Sequence, residues 1–320
     1  MPNDFGDPIA ETKACLTAAA LFDYSFLLRF QASGSGVAEA LSRLCGRNLS
    51  NMATGDIRYV LTTNEEGRLR SDLTVWRIGP ESFEIFSGRA EDAIDIAHHP
   101  DLGTRCLDLS DETAVLALQG PTSLSVLHSA FDAPRLAVPG RFRFVDSEFM
   151  GAPCRIGRLG FTGLHGVEIV CSADHAQPLW DRLVGSGLGP AGFQAADCIR
   201  LAAGLALFSK EFAPPVSAAD AGLARFRPAG DKPLDRLPAR VRRVCCETHA
   251  SALTDASLVD LVTLEYRHGD RFPPEPGTIV ITSVNFGPTP EKIFAMGYVA
   301  ADTREVECRD SHCVRWTIRP

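Results

Sequence analysis

The chain has 320 residues and a mass of 34.5 kDa, enough for about two or three domains rather than one small core. Its 45% hydrophobic and 22% charged residues are an ordinary globular composition and exclude a disordered or fibrous chain. With 32 basic and 40 acidic residues the net charge is −8, which leaves no electrostatic footprint for nucleic acid or an anionic membrane surface. Of the basic residues 28 are Arg and 4 are Lys, a bias that genomic base composition explains.

Met1 to Ala14 carries three acids and no basic run, and the apolar stretch Cys15 to Phe22 is too short for a signal-peptide core or a membrane span. The ten cysteines contain no C-x-x-C pair, so zinc or redox spacing fails, and reduced thiols in a cytoplasm are expected. After the turn Ser33-Gly34-Ser35-Gly36, Val37, Ala40, Leu41 and Leu44 share a helical face. Arg58–Thr63 and Leu69–Ile78, joined by Asn64-Glu65-Glu66-Gly67, read as a hairpin, with Asp72 at the start of the returning run. Phe83 and Ile85 share one face of a short strand, and Ala90, Ala93, Ile94 and Ala97 give a helical stripe stopped at Pro100.

A second unit begins near residue 105. Ala114–Leu118 reads as a strand, Gln119-Gly120-Pro121 as a turn, and Leu124 with Leu127 as a helical face. Strands follow at 141–145, 154–158 and 166–170, then a helix bearing Leu179, Trp180 and Leu183. Strands adjoin as hairpins rather than alternating with helices, which favours an α+β class over a doubly wound sheet. Phe212-Ala213-Pro214-Pro215 breaks the pattern, and 213–238 reads as a linker or wrapped connection. The remainder, with runs at 241–246, 258–266, 278–283 and 295–299, looks all-β and predicts a small barrel or sandwich.

Gly187-Leu188-Gly189-Pro190-Ala191-Gly192 spells G-x-G-x-x-G, but a helix precedes it and Pro190 removes an amide, so a dinucleotide site is rejected. Neither G-x-S-x-G nor H-E-x-x-H occurs. The His98-His99 pair fits a helix end, and His165 a Gly-rich turn. Asp72 reads as turn chemistry unless a ligand faces it. Glu168 stands between Val167 and Ile169 in an apolar strand, where a carboxylate is costly without donors. Arg200 lies in the apolar helical segment 195–208 and also needs a partner. Two readings stay open: a structural Glu168–Arg200 pair, or two groups facing a ligand with complementary polar edges.

Several blocks then take on a shared pattern. Gly55-Asp56-Ile57-Arg58-Tyr59-Val60-Leu61-Thr62-Thr63-Asn64-Glu65-Glu66-Gly67, with Ser71-Asp72-Leu73-Thr74-Val75, resembles the signature of the glycine-cleavage T-protein (aminomethyltransferase) family. Phe22-Asp23-Tyr24-Ser25 resembles its F-D-x-S, and Ala117-Leu118-Gln119-Gly120-Pro121 its Q-G-P block. Gly160-Phe161-Thr162-Gly163 with Gly166-Val167-Glu168-Ile169 resembles its G-Y-T-G-x-x-G-x-E-I. Asp197-Cys198-Ile199-Arg200-Leu201 with Ala203-Gly204 matches D-x-L-R-L-x-A-G, and Ile281-Thr282-Ser283 and Ala295–Val299 are similar to the family's barrel domain.

The resemblance implies a folate-binding core at 12–212, made of two α/β subdomains with antiparallel sheets and a boundary near 105. A linker at 213–238 and a C-terminal small β-barrel domain at 239–320 would complete it. It implies tetrahydrofolate as cofactor, Glu168 as the pterin-binding glutamate, and Arg200, Tyr59 and Phe161 as further binding residues. Asp72 would be the catalytic aspartate near the folate's reactive nitrogens. A lipoyl carrier protein or a small-molecule substrate would be the one-carbon donor, with no metal, nucleic acid or membrane partner. The alternatives are a folate-dependent demethylase and a non-catalytic folate-binding assembly or regulatory protein.

Departures accompany the match. The family's tryptophan-containing N-terminal extension is largely missing, and Phe26 replaces the histidine of F-D-x-S-H. Ser71 stands for the first of the paired aspartates, Leu164 for the glutamate after Y-T-G, and Ala202 for that of L-R-L-E. Phe208-Ser209-Lys210-Glu211 departs from Y-G-Q-E. Retained Asp72, Glu168 and Arg200 against these losses imply retained folate and a changed donor.

Overall fold

The computed structural model describes residues 1–131, 137–227, 232–253, 261–289, 291–304 and 307–319. Two compact units emerge: Met1–Leu44, Asn48–Val60 and Asp72–Ala196 form one, and Cys45–Arg47, Leu61–Ser71 and Asp197–Pro320 the other.

The first unit is built on two sheets. In spatial order the larger holds Gly189–Pro190, Ala20–Asp23, Thr113–Gln119, Gly166–Ser172, Ala152–Gly157 and Phe144–Phe149. All neighbours are antiparallel except the first two. Strand alternation sends Leu21, Leu116, Leu118, Ile156 and Ile169 to one face, where they pack with Leu127 and Leu183 from the helices Ser123–Ala130 and Ala176–Gly185. The smaller sheet runs Ile57–Thr63, Leu69–Gly79, Ser82–Ser87, Leu28–Ser33 and Cys106–Asp108, with the outer end of its first hairpin counted in the second unit.

The other faces of these two sheets meet. Trp76 stacks on Phe144 with ring centroids 5.4 Å apart. A Cβ on Gly157 would lie 2.2 Å from the Trp76 ring, so only glycine admits the indole there. Arg155 of the larger sheet and Arg29 of the smaller both reach Glu84 Oε1 at 2.6 Å.

In the second unit the sheet order is Val280–Phe286, Lys292–Ala300, Val241–His249, Arg315–Ile318 and Glu307–Arg309, with Ile281, Val299 and Trp316 in its core. The expected barrel is not closed: the sheet is open, and its two edges meet at a single parallel bridge between Thr278 and Arg309. One expected strand is absent from it. Of 258–266, residues 258–260 lie outside the described residues, and Val262–Leu264 forms a 3-10 turn. Within 213–227 the buried Asp220 carboxylate accepts from the Ser217, Arg240 and Val241 amides.

Two local expectations are corrected. Asp72 lies inside the strand Leu69–Gly79 rather than at its start, because the hairpin pairing runs through Arg70. The helix at 92–97 buries Asp92 and Ile96 and leaves Ile94 61% exposed. Arg89 and Ser87 Oγ hold the Asp92 carboxylate at 2.7 and 2.5 Å, which lets a charged residue occupy the inner face. All ten cysteines are free thiols. Among the described residues no helix is long and apolar enough to cross a membrane, and no group of His, Cys, Asp and Glu could hold a metal ion.

Candidate ligand site between the two sheets of the first unit

Glu168 sits mid-strand in Gly166–Ser172, opposite Ala117 on one side and Gly157 on the other. Phe22 also pairs with Ala117, so Phe22, Ala117, Glu168 and Gly157 form one cross-strand row on the face turned towards the second sheet. Trp76 covers the Gly157 end of that row. The Glu168 side chain is buried and makes no hydrogen bond or ion pair among the described residues. The contrast with Glu84, which burial and facing sheets surround in the same way, is instructive: Glu84 holds two guanidinium groups and Glu168 none. Burial pushes the Glu168 carboxyl up to about 7.

Tyr24 carries a further unsatisfied group. It directly follows Ala20–Asp23, its amide donates to Val115 O, and its ring lies 5.9 Å from that of Phe22. The hydroxyl is buried and has no hydrogen-bond partner among the described residues. Burial first, and then the nearby Glu168 charge, raise its pKa well above the usual phenol value, so it remains an O–H donor.

A loop at 158–165 leads into the Glu168 strand and carries Phe161, which is half-buried. Gln119 clamps it from the neighbouring strand. Its Nε2 donates to Leu159 O and Val167 O at 3.3 and 3.4 Å, and its Oε1 accepts from Thr162 Oγ1 at 2.9 Å. Gly120 N donates to His165 O at 2.7 Å. A Cβ on Gly160 or Gly166 would strike the Gln119 amide, at 2.0 and 2.5 Å. The glutamine of one sequence block and the glycines of another are thus one device.

Asp72 shares its face of Leu69–Gly79 with Thr74 and Trp76, and Trp76 touches the larger sheet, so Asp72 is directed to the same inter-sheet side. Its side chain is half-buried. Ser71 points to the opposite face and is fully buried. Losing an acid at 71 therefore leaves the inter-sheet face unchanged. Tyr59, half-buried, lies on the adjacent strand Ile57–Thr63.

Arg200 belongs to the second unit, on the helix Phe193–Ala202, with no exposure. Its Nε donates to Asp197 at 2.8 Å and its Nη1 to Glu211 and Leu205 O at 2.7 and 3.1 Å. Its Nη2 reaches Ser283 Oγ and Asp197, each at 2.7 Å. All five donors are engaged. Burial would lower its pKa, but Glu211 and Asp197 outweigh that and raise it. Glu211 also accepts from Thr282 Oγ1 at 2.8 Å, from Ser283 Oγ and from Leu207 N. The Glu168–Arg200 pair weighed from the sequence is not what balances this charge. Glu211, the one acid kept from Y-G-Q-E, was not singled out, nor were Tyr24 and Gln119, although the latter two stood inside matching blocks.

Of the glycines in the G-x-G-x-x-G spelling, Gly192 has a packing explanation, whereas a Cβ at Gly187 or Gly189 would meet open space. Gly192 N donates to Glu11 Oε2 at 2.8 Å, and a Cβ there would lie 2.4 Å from Asn3 O.

Fold and site together define an α+β protein whose facing sheets bury a carboxylate and a phenol that no side chain among the described residues satisfies. Residues 1–228 match the GCVT N-terminal domain family, and the chain belongs to it. The aminomethyltransferase of Saccharopolyspora erythraea is 31% identical over 318 residues, covering 95% of this chain and 85% of that protein. That of Rubrobacter xylanophilus is 34% identical over 228 residues, covering 70% of this chain and 61% of the relative's length. The crystal structure of glycine cleavage system aminomethyltransferase T from Bartonella henselae superposes with a TM-score of 0.76, covering 98% of this chain and 88% of that one. At 23% identity this likeness shows the fold.

Proposed function

We propose that the chain is a tetrahydrofolate-dependent one-carbon transferase of the aminomethyltransferase type. Support comes from the family membership, from relatives that bear the name aminomethyltransferase, and above all from one observation: Glu168 is a buried carboxylate with no donor among the described residues. A pterin edge carries an amino group and a ring N–H side by side, which one carboxylate accepts as a bidentate pair. Burying an unpaired carboxylate is costly, and such a ligand removes the cost.

Tetrahydrofolate supplies, when bound, the amine nitrogens that take up the one-carbon unit. Glu168 holds the heterocycle, and the Gln119 clamp fixes the loop from which Phe161 flanks it. Asp72, directed to the same inter-sheet side, places a negative charge where cationic character develops during transfer. Tyr59 on the adjacent strand lines that side. Arg200 has no donor left for a ligand, because its donors are already committed to Asp197, Glu211, Ser283 and Leu205 O.

Turnover tests this reading. With tetrahydrofolate and an aminomethylated lipoyl carrier as donor, the native chain transfers the one-carbon unit, and Asp72→Asn lowers kcat by at least about 100-fold while binding persists. Unchanged turnover in Asp72→Asn removes that residue from the mechanism. Folate binding with no transfer from either the carrier or methylated amines supports a non-catalytic binder instead.

A further inference from the structure

We propose that Tyr24 is a specificity-determining residue that acts with Glu168 to read one heterocycle edge, Glu168 accepting from two adjacent N–H groups and Tyr24 donating to the acceptor beside them. This deepens the folate reading above and rests on it. Three observations carry it. The Tyr24 hydroxyl is buried with no hydrogen-bond partner among the described residues, which leaves its donor for a ligand. Tyr24 follows Phe22 on the face that bears Glu168, in a row linked strand by strand through Ala117. The two groups are also complementary in kind: a carboxylate that only accepts and a phenol kept in its O–H form.

A 2-amino-4-oxo heterocycle satisfies both at once, since its amino group, ring N–H and carbonyl oxygen follow in sequence along one edge. A 4-amino analogue offers a donor where Tyr24 needs an acceptor. Tyr24 therefore adds to the separation that Glu168 already makes through the ring N–H, which only the 4-oxo form carries. Rejection by an unmatched buried polar group is a strong form of discrimination.

The experiment is calorimetric titration of the full chain with tetrahydrofolate and with 2,4-diaminopteridine and 2-aminopteridine analogues, for the native protein and Tyr24→Phe. The native protein is expected to favour the 4-oxo ligand, and Tyr24→Phe to weaken tetrahydrofolate about tenfold and so narrow its advantage over both analogues about tenfold, the remainder being the ring N–H that Glu168 reads. Its melting temperature is expected to hold or rise, because a buried unpaired hydroxyl is removed. Native selectivity retained in Tyr24→Phe overturns the proposal. So does a native protein that binds the 4-oxo and 4-deoxy ligands equally, a comparison that needs no variant to fold. Absence of tetrahydrofolate binding by the native protein overturns the folate reading itself, which is a separate outcome.

Discussion

Glu84 and Glu168 are two carboxylates buried between the same two sheets, and the difference in their partners sets what each does. Glu84 is a structural ion-pair centre. Glu168, raised to about 7 by burial, keeps its proton in the folded chain over a range where the unfolded chain has lost it. Between about pH 4.5 and 7 the folded state binds more protons, so stability falls as pH rises and the cost is complete above 7. Glu168→Gln is therefore expected to stabilise the free protein at pH 8 by up to about 3 kcal/mol, and by less than about 1 kcal/mol at pH 5. Denaturant melts at the two pH values check this, and a difference independent of pH contradicts it. Arg200 behaves oppositely. Arg200→Met strands Asp197 and Glu211 without their cation, and a loss of about 3 to 5 kcal/mol is expected in the same assay. A loss below about 1 kcal/mol removes the network from the stability of the second unit.

At the scale of elements, the site depends on a strand pair and a clamped loop rather than on any helix end. Gly160→Ala drives a methyl into the Gln119 amide, 2.0 Å away. It is expected to cost about 1 to 3 kcal/mol and to speed amide exchange across 158–165. Gly185→Ala, in open space, serves as the neutral control. Exchange unchanged in Gly160→Ala refutes the clamp.

Strand alternation made much of this legible in sequence. A glutamate between Val167 and Ile169 announces an unusual demand, and hairpin spacing gave the α+β class before any coordinates. Partners were not legible: Ser283 meets Arg200 from 83 positions away, and nothing local to residue 200 points to it. The stripe at 90–97 misled because under two turns of helix fix no face, so the bonds of Asp92 to Arg89 and Ser87 decided it. Asp72 reads as a strand entrance because it follows Arg68 and Arg70, although the strand already begins at Leu69.

Over the whole molecule, the net charge of −8 leaves no electrostatic footprint for nucleic acid and is compatible with an anionic folate. A ligand held in the native state alone raises stability by mass action, so tetrahydrofolate at 100 times its Kd is expected to add about 2.7 kcal/mol to the first unit's unfolding free energy. The most direct test of the account is an isothermal titration of the full chain with tetrahydrofolate at pH 8, alongside Glu168→Ala. Saturable binding at one site per chain, lost in the variant while its fold is retained, is the result predicted. No binding by the native chain, or equal binding by Glu168→Ala, contradicts the placement of the ligand between these sheets.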